Sequence, residues 1–289
     1  MSEEREQRNQ VFAQAAAGVD PRVSQMSAAE KVKADFNLDI PTEVVPLPSC
    51  GKAYAPQHPL HGKELLEIRP MTAREEDILT SKAFLKKGTV ISELIKSCMV
   101  DKTVNPNALL IGYRNALMVA IRLTGYGAEY DAEIECSECN VKAPQQFDLA
   151  ALPLQRLEIE PAQPGMNLFE FKLPFTKKTV HFKFLMGRDE EEITATAEKQ
   201  KKLGMSSENV VTTNLLYSIV SIDGIEDRAK IAGFVRMMPA RDSLALRNYI
   251  RDNEPGIRMK QETSCPACGH SEEVGMPIGV SFLWPSSGR

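Results

Sequence analysis

The stretches Cys136-Ser-Glu-Cys139 and Cys265-Pro-Ala-Cys268 decide the fold of this chain. In each stretch two residues separate the cysteines, so one tight turn can aim both sulfur atoms at a single ion about 2.3 Å away. One pair offers two ligands, whereas zinc takes four in a tetrahedron. The sequence therefore predicts one structural zinc site that is shared by both pairs, with Cys136, Cys139, Cys265 and Cys268 as its ligands.

Extended segments surround each pair, and they predict a strand, a Cys-x-x-Cys turn and a second strand, which is a zinc knuckle. These segments are residues 130–135, 141–147, 257–262 and 272–278. Asn140 and Gly269 follow directly after the second cysteine of each pair, and both residue types accept the left-handed backbone that such a turn needs. Two alternatives remain open for the cysteines: redox-active dithiols, although no thioredoxin-like context surrounds them, and disulfides formed in an oxidising particle.

A closed four-thiolate site leaves no coordination position for substrate or water, so it stabilises a fold and does not catalyse. The sequence contains no phosphate-binding loop, dinucleotide fingerprint or nucleophile elbow. The acidic runs 75–77 and 189–192 are expected in the first turns of helices, where carboxylates meet the positive end of the helix dipole. We therefore expect neither an enzyme nor a small-molecule substrate.

Composition narrows the classes of partner. The chain has 289 residues, of which 43% are hydrophobic and 26% charged, and its net charge is −4. These values are typical of a globular protein, and the absence of a basic block disfavours nucleic acid and membrane surfaces. No apolar run approaches the roughly 18 residues that span a bilayer. The N-terminus lacks an apolar signal core, which predicts residence in a reducing cytosol.

The two terminal segments are candidate contact regions. Residues 1–42 contain few large apolar groups and cannot form a core of their own, so we expect an arm that docks on another subunit, with a short helix near residues 27–36. A disordered tail is the alternative for this segment. Residues 280–285 contain Trp284, the only tryptophan. The alternation of Val280, Phe282 and Trp284 predicts an extended anchor, seated either in this chain or in a partner.

Between these segments the chain repeats a series of landmarks. Residues 71–78 align on 186–193 without gaps, 94–101 resemble 216–223, and each half ends in a Cys-x-x-Cys pair. Coincidence among common helix-forming residues is the alternative explanation. We expect an α+β fold of two repeated halves, residues 43–158 and 159–289. Each half would contain a strand element, a helical bundle and a knuckle hairpin, joined by a shared four-cysteine zinc ribbon.

Local patterns predict the elements within each half. Helices are predicted near residues 72–86, 89–100 and 106–124, the last starting at Asn105-Pro106. Residues 64–69 favour a strand. Residues 167–173 and 179–185 alternate apolar and polar around a turn-length connection, which predicts a hairpin.

With these residues in view, the chain resembles the baseplate protein family of contractile-tailed bacteriophages, typified by a T-even phage baseplate hub protein. The resemblance spans roughly residues 43–285. It rests on the following motifs: Leu47-Pro-Ser-Cys-Gly51 with Tyr54, Ile68-Arg-Pro-Met-Thr72 with Glu75-Glu76, Ala120-Ile-Arg-Leu-Thr-Gly-Tyr-Gly127 before the first cysteine pair, Cys265-Pro-Ala-Cys268-Gly, and Phe282-Leu-Trp-Pro285.

The resemblance implies a structural or assembly role in the hub region of a phage tail baseplate. It implies contacts with other baseplate and tail proteins, assembly in the host bacterial cytoplasm and residence in the virion tail. The alternative is a zinc-ribbon adaptor that binds nucleic acid or transcription machinery. The knuckle segments disfavour that alternative, because they contain six glutamates and few basic residues, and acidic hairpins repel phosphates.

Overall fold

The computed structural model describes residues 35–36, 41–202, 209–276 and 280–283. The chain divides after Pro41 into two units. In the first unit residues 35 and 36 are helical, and the rest of the predicted arm helix lies outside the described residues. The second unit is a mixture of helices and small antiparallel sheets, so the predicted α+β class is confirmed.

The strands and helices of the second unit follow one another along the chain. The strands are β1 Glu43–Pro46, β2 Leu65–Ile68, β3 Glu129–Glu135, β4 Lys142–Asp148, β5 Leu154–Gln155, β6 Phe169–Lys172, β7 Thr179–Phe182, β8 Ile219–Ile222, β9 Gly256–Ile257, β10 Lys260–Ser264 and β11 Ser271–Gly275. The helices are α1 Ala73–Thr80, α2 Lys82–Lys87, α3 Val90–Cys98, α4 Ile111–Tyr126, α5 Gly187–Lys202, α6 Val210–Ser218, α7 Arg228–Met237, α8 Ala240–Asn253 and α9 Val280–Leu283. None of the described helices is long and apolar enough to cross a membrane.

Two small sheets of the second unit have the same construction. β1 pairs antiparallel with β2, and Met99, just after α3, bridges to Ile68 at the end of β2. In the other sheet β6 pairs with β7 and β7 pairs with β8, which directly follows α6. In both sheets the chain leaves the middle strand, β2 or β7, and forms helices. It then returns to pair with the side of that strand that the first strand does not cover, at Met99 or at β8.

The helix after each middle strand begins with the same arrangement of charges. Arg69 pairs with Glu75 at 2.6 Å, and Lys183 pairs with Asp189 at 2.7 Å, six residues apart in both cases. The acidic side chain also accepts the backbone N–H of the residue just before its helix, that of Thr72 for Glu75. The predicted placement of the acidic runs in first turns agrees with this geometry.

The register of the repeat differs by one residue from the gapless alignment of the sequence. Asp189 accepts the backbone N–H of Met186 at 2.9 Å, so the counterpart of Glu75 is Asp189 and not Glu190. The backbone agrees, since the N–H of Arg69 donates to the carbonyl of Cys98 and that of Lys183 to the carbonyl of Ser218. The description as two complete halves, residues 43–158 and 159–289, stays a prediction.

Two predicted helices have different boundaries in the structure. The helix expected over residues 72–86 is interrupted at Ser81, whose backbone is extended, and is therefore two helices, α1 and α2. The helix expected from residue 106 begins at Ile111 instead. Pro106 starts a single 3₁₀ turn, which Asn105 caps by accepting the N–H of Asn107.

The C-terminal segment also differs from its prediction. Residues 280–283 form the short helix α9, where an extended segment was expected. Phe282 is buried and packs edge-on against Tyr130 of β3, with 5.0 Å between the ring centres. Trp284 lies outside the described residues, so its predicted role as an anchor stays a prediction.

The start of α4 and the β5–β9 pair make a close backbone contact. A Cβ atom on Gly112 would lie 2.1 Å from the carbonyl oxygen of Pro255, and one on Gly256 would lie 2.6 Å from the Cα of Gly112. Only glycine at both positions allows this approach. The contact fixes α4, which leads into β3, against β9, which leads into β10.

Candidate metal centre

The two Cys-x-x-Cys turns have the same backbone. In the first, the N–H of Cys136 donates to the carbonyl of Val141 and the N–H of Asn140 donates to that of Cys136. In the second, Cys265 donates to His270 and Gly269 donates to Cys265. The residue after the second cysteine has a left-handed backbone in both turns, with φ of 56° at Asn140 and 74° at Gly269. The predicted knuckle conformation is therefore confirmed at these two positions.

Paired strands hold each turn in place. β3 and β4 are antiparallel with Glu135 opposite Lys142, and β10 and β11 are antiparallel with Ser264 opposite Ser271. Each cysteine pair lies at the tip of its hairpin because the first cysteine directly follows the first strand.

The structure brings all four predicted ligands together. The Sγ atoms of Cys136, Cys139, Cys265 and Cys268 lie within 4.8 Å of one another. Across the hairpins, Sγ of Cys136 lies 3.8 Å from that of Cys268, and Sγ of Cys139 lies 3.6 Å from that of Cys265. A disulfide requires about 2.05 Å, so none of these contacts is a disulfide.

These sulfur separations suit a tetrahedral zinc ion. Zinc–sulfur bonds of about 2.3 Å place two ligands of a regular tetrahedron about 3.75 Å apart. The two cross-hairpin distances, 3.6 and 3.8 Å, lie on either side of that value. The donor set also fits, because four thiolates are a common ligand set of structural zinc.

The local electrostatics favour a bound cation. Backbone N–H groups of Cys268 and Ala267 lower the pKa of the Cys265 thiol to about 6. Four thiolates within a few ångströms repel one another strongly unless a cation lies between them. The backbone of the second turn thus favours the thiolate form of Cys265, and a divalent ion would stabilise the thiolate forms of the other three cysteines.

Few other contacts join the two hairpins within the described residues. The side-chain hydrogen bonds between them are Ser137 N–H to Glu272 at 3.0 Å, Gln145 to the Ser264 carbonyl at 3.1 Å, and Gln261 to the Asp148 carbonyl at 2.8 Å. The space beside Cys136 and Cys265 is a cavity of only about 10 Å³, which is at the lower limit for a single water molecule. The described polar contacts between the hairpins are therefore few, and the cavity beside the sulfur cluster has no room for a substrate.

The outer surface of the hairpins is acidic. Glu133, Glu135, Glu138, Glu262 and Glu273 are exposed, and Glu272 is half-buried. Among the described basic side chains, Lys142 lies 3.6 Å from Glu135 and Lys260 lies 3.4 Å from Glu273. A surface of this kind repels phosphate groups, as the sequence predicted.

The remaining cysteines lie apart from the metal centre. Cys98 is fully buried in α3, and burial raises the pKa of its thiol to about 12, so it is an inert core thiol. Cys50 is half-buried in the loop after β1, where its φ is 49°. The histidines of the proline-rich loop also serve structural contacts, since His58 stacks on Tyr54.

A polar cluster between α4 and α5 was not expected from the sequence. Arg114 is 3% exposed, lies 3.4 Å from Glu190 and donates to Ser92 at 3.1 Å. Glu191 accepts hydrogen bonds from Ser92 and Asn107. No sequence pattern indicates that Arg114 has these partners. The cluster joins α4 to α5, away from the cysteines.

Comparison with known proteins gives one match. A family model described as T4 bacteriophage base plate protein matches residues 53–284. The matched region includes both cysteine pairs and all of the described strands except β1. No curated protein and no solved structure matches the chain.

Proposed function

Since this chain belongs to the T4 bacteriophage base plate protein family, we propose that it is a structural or assembly component of the baseplate hub region that connects neighbouring tail proteins. In this proposal a structural zinc ion fastens its two halves. The observation that carries the zinc assignment is the cluster of four sulfur atoms at the spacing of a tetrahedron's edge. Family membership carries the assignment to the baseplate.

The proposed zinc has a mechanical role. Cys136 and Cys139 would hold it from the β3–β4 hairpin, and Cys265 and Cys268 from the β10–β11 hairpin. Bound zinc neutralises the thiolates and contributes free energy to folding. The left-handed backbone at Asn140 and Gly269 would orient the sulfur atoms towards the ion. Because the hairpins follow α4 and β9 in the chain, a link between the hairpins would also restrain α4 and β9.

A non-catalytic role follows from the same donor set. Four sulfur ligands complete a tetrahedron, so the proposed ion would have no position for water or substrate. The small cavity beside the cluster agrees with this, since its volume is about 10 Å³. We therefore propose a role in assembly and not in chemistry.

The test of this function is the fate of the particle when the chain is removed. Phage that lack the gene for this chain should form capsids but no complete baseplates, as judged by electron microscopy of negatively stained lysates. Mass spectrometry of purified wild-type tails should then show whether the chain stays in the virion. Normal baseplates in the deletion phage would refute the proposal.

A further inference from the structure

The sheet formed by β1, β2 and Met99 has an apolar outer face. Its exposed side chains are Val44, Leu65 and Val100, with exposed fractions of 52%, 56% and 44%. Pro46, which is also exposed, lies directly opposite Leu65 in the sheet. The inner face is ordinary core, since Val45, Leu66 and Ile68 are buried. We call Val44, Pro46, Leu65 and Val100 the β1–β2 outer face.

The second sheet provides an internal comparison for this face. In that sheet Glu170 lies opposite His181, as Val44 lies opposite Glu67 in the first sheet. Lys172 lies opposite Thr179, as Pro46 lies opposite Leu65. The counterparts of Val44, Pro46 and Leu65 are thus polar. The counterpart of Val100 is Val220, which is apolar. The same local fold thus forms with polar residues at the other three positions, so folding does not require apolar residues at Val44, Pro46 and Leu65.

Carboxylates lie on and beside the β1–β2 outer face. Glu43, Glu64 and Glu67 are exposed and form no ion pair with any described residue. Glu67, which lies on the face itself, accepts a hydrogen bond from the Thr42 hydroxyl. The nearby Lys63 is already engaged by Asp101 at 2.8 Å. Glu67 is opposite Val44, and its carbonyl accepts the N–H of Val100, so an acidic side chain lies between two exposed valines.

This charge pattern identifies the kind of partner. A second copy that packed the same face on itself would bring these carboxylates close to one another, which is repulsive. A segment with apolar side chains flanked by Lys or Arg would cover the aliphatic groups and neutralise the acids. We propose that the β1–β2 outer face is the docking surface for such a basic, apolar segment of another baseplate protein. This inference rests on the proposed function.

Site-specific crosslinking in assembled particles tests the proposal. A photo-crosslinking amino acid replaces Leu65 in the full chain, and in the matched control it replaces Thr179, its counterpart on the polar sheet. We expect an adduct from position 65 with one other baseplate protein, at least about tenfold above that from position 179. The captured peptide, identified by mass spectrometry, should contain apolar residues beside Lys or Arg.

Substitution provides the second measurement. Val44→Thr with Leu65→Thr keeps β-forming side chains and should leave the thermal midpoint of the isolated chain unchanged, because both residues are exposed. Its incorporation into baseplates should fall about tenfold. The control pair, Lys172→Thr with Thr179→Ser, should be incorporated like the wild type.

The outcomes separate this proposal from the proposed function. A chain that enters baseplates normally while position 65 forms no adduct, or forms one with a second copy or an acidic peptide, overturns the docking surface alone. Normal incorporation of the double variant does the same. Normal baseplates in phage that lack the chain overturn both the proposed function and the docking surface.

Discussion

At the scale of single residues, the candidate metal centre depends on the positions of four cysteine sulfur atoms. The residue type that follows each Cys-x-x-Cys pair is restricted by the backbone conformation of the turn. Asn140 and Gly269 have positive φ, which lets both cysteines of each turn face the same point. The four candidate ligands could be chosen from the sequence, because Cys-x-x-Cys spacing between strands is typical of zinc knuckles. That they bind zinc stays a prediction. Their meeting was not a local property, since it depends on how the two hairpins are brought together.

The first prediction concerns the metal ligands. Cys136→Ser should lower the zinc content from one ion per chain to well below one, because three thiolates hold zinc less tightly than four. The free energy of unfolding should fall by several kcal/mol, given that structural zinc contributes on the order of 10 kcal/mol in small peptides. Elemental analysis and urea unfolding measure the two effects. Cys50→Ser is the control, since Cys50 is not part of the sulfur cluster. A wild-type protein without zinc would refute the assignment.

The second prediction concerns Glu75 and pH. Burial acts to raise its pKa, but hydrogen bonds from Arg69, Ser97 and Thr72 outweigh burial and lower it to about 2. A carboxylate with a lowered folded-state pKa contributes stability above its unfolded pKa of about 4.5, and that stability is lost as the pH falls towards 2. The contribution is on the order of 3 kcal/mol.

Urea unfolding between pH 7 and pH 2.5 measures this contribution. Glu75→Gln should lose about 2–3 kcal/mol at pH 7 and should show a flatter dependence on pH below 4.5 than the wild type. Asp77→Asn, an exposed residue of the same helix, serves as the control and should keep the wild-type slope. Parallel curves for the wild type and Glu75→Gln would contradict the prediction.

At the scale of helices and strands, the sequence predicted elements well where the pattern is local. The β6–β7 hairpin follows from alternating residues on either side of a short turn, and it formed within two or three residues of its expected bounds. The break between α1 and α2 was not predictable, because Ser81 and its neighbours are all compatible with a helix. α3 ends at Cys98 because the next residue, Met99, bridges to β2, which is a tertiary contact that helical periodicity does not contain.

The third prediction concerns the contact between α4 and β9. Gly112→Ala should destabilise the protein by several kcal/mol, because its Cβ would lie 2.1 Å from the Pro255 carbonyl oxygen and backbone would have to move. Gly233→Ala is the matched control, since Gly233 is also helical and nothing lies within 4 Å of its added Cβ. That control should gain up to about 1 kcal/mol of helix propensity. Thermal unfolding of both variants measures the difference, and equal midpoints would show that α4 and β9 are not in close contact.

At the scale of the whole second unit, contacts of different chemistry join the residues before 159 to those after it. Among them, the sulfur cluster joins the hairpins, the Arg114 cluster joins α4 to α5, β5 pairs with β9, and Gly112 lies against Gly256. A continuous cluster of buried side chains also includes residues of both halves, from Ile68 to Leu246. Zinc would therefore act on the hairpins and not on the entire core.

The fourth prediction follows from this division. Removing zinc with a chelator should free the β3–β4 and β10–β11 hairpins, because only a few side-chain hydrogen bonds otherwise join them within the described residues. The core should remain folded, because α4 and the β6–β7–β8 sheet are held by buried contacts that contain no cysteine of the cluster. Amide hydrogen exchange should therefore increase in the two hairpins and stay slow in α4 and β7.

The pattern of exchange distinguishes three roles for the metal. Faster exchange that is confined to the hairpins, and is reversed by added zinc but not by magnesium, is the expected result, since thiolates prefer zinc to a hard cation. Faster exchange throughout the second unit would mean that the metal supports the whole core, so the buried contacts between the halves are weaker than their burial indicates. Unchanged exchange in the hairpins would mean that their own hydrogen bonds hold them, and zinc would then have no mechanical role in this protein.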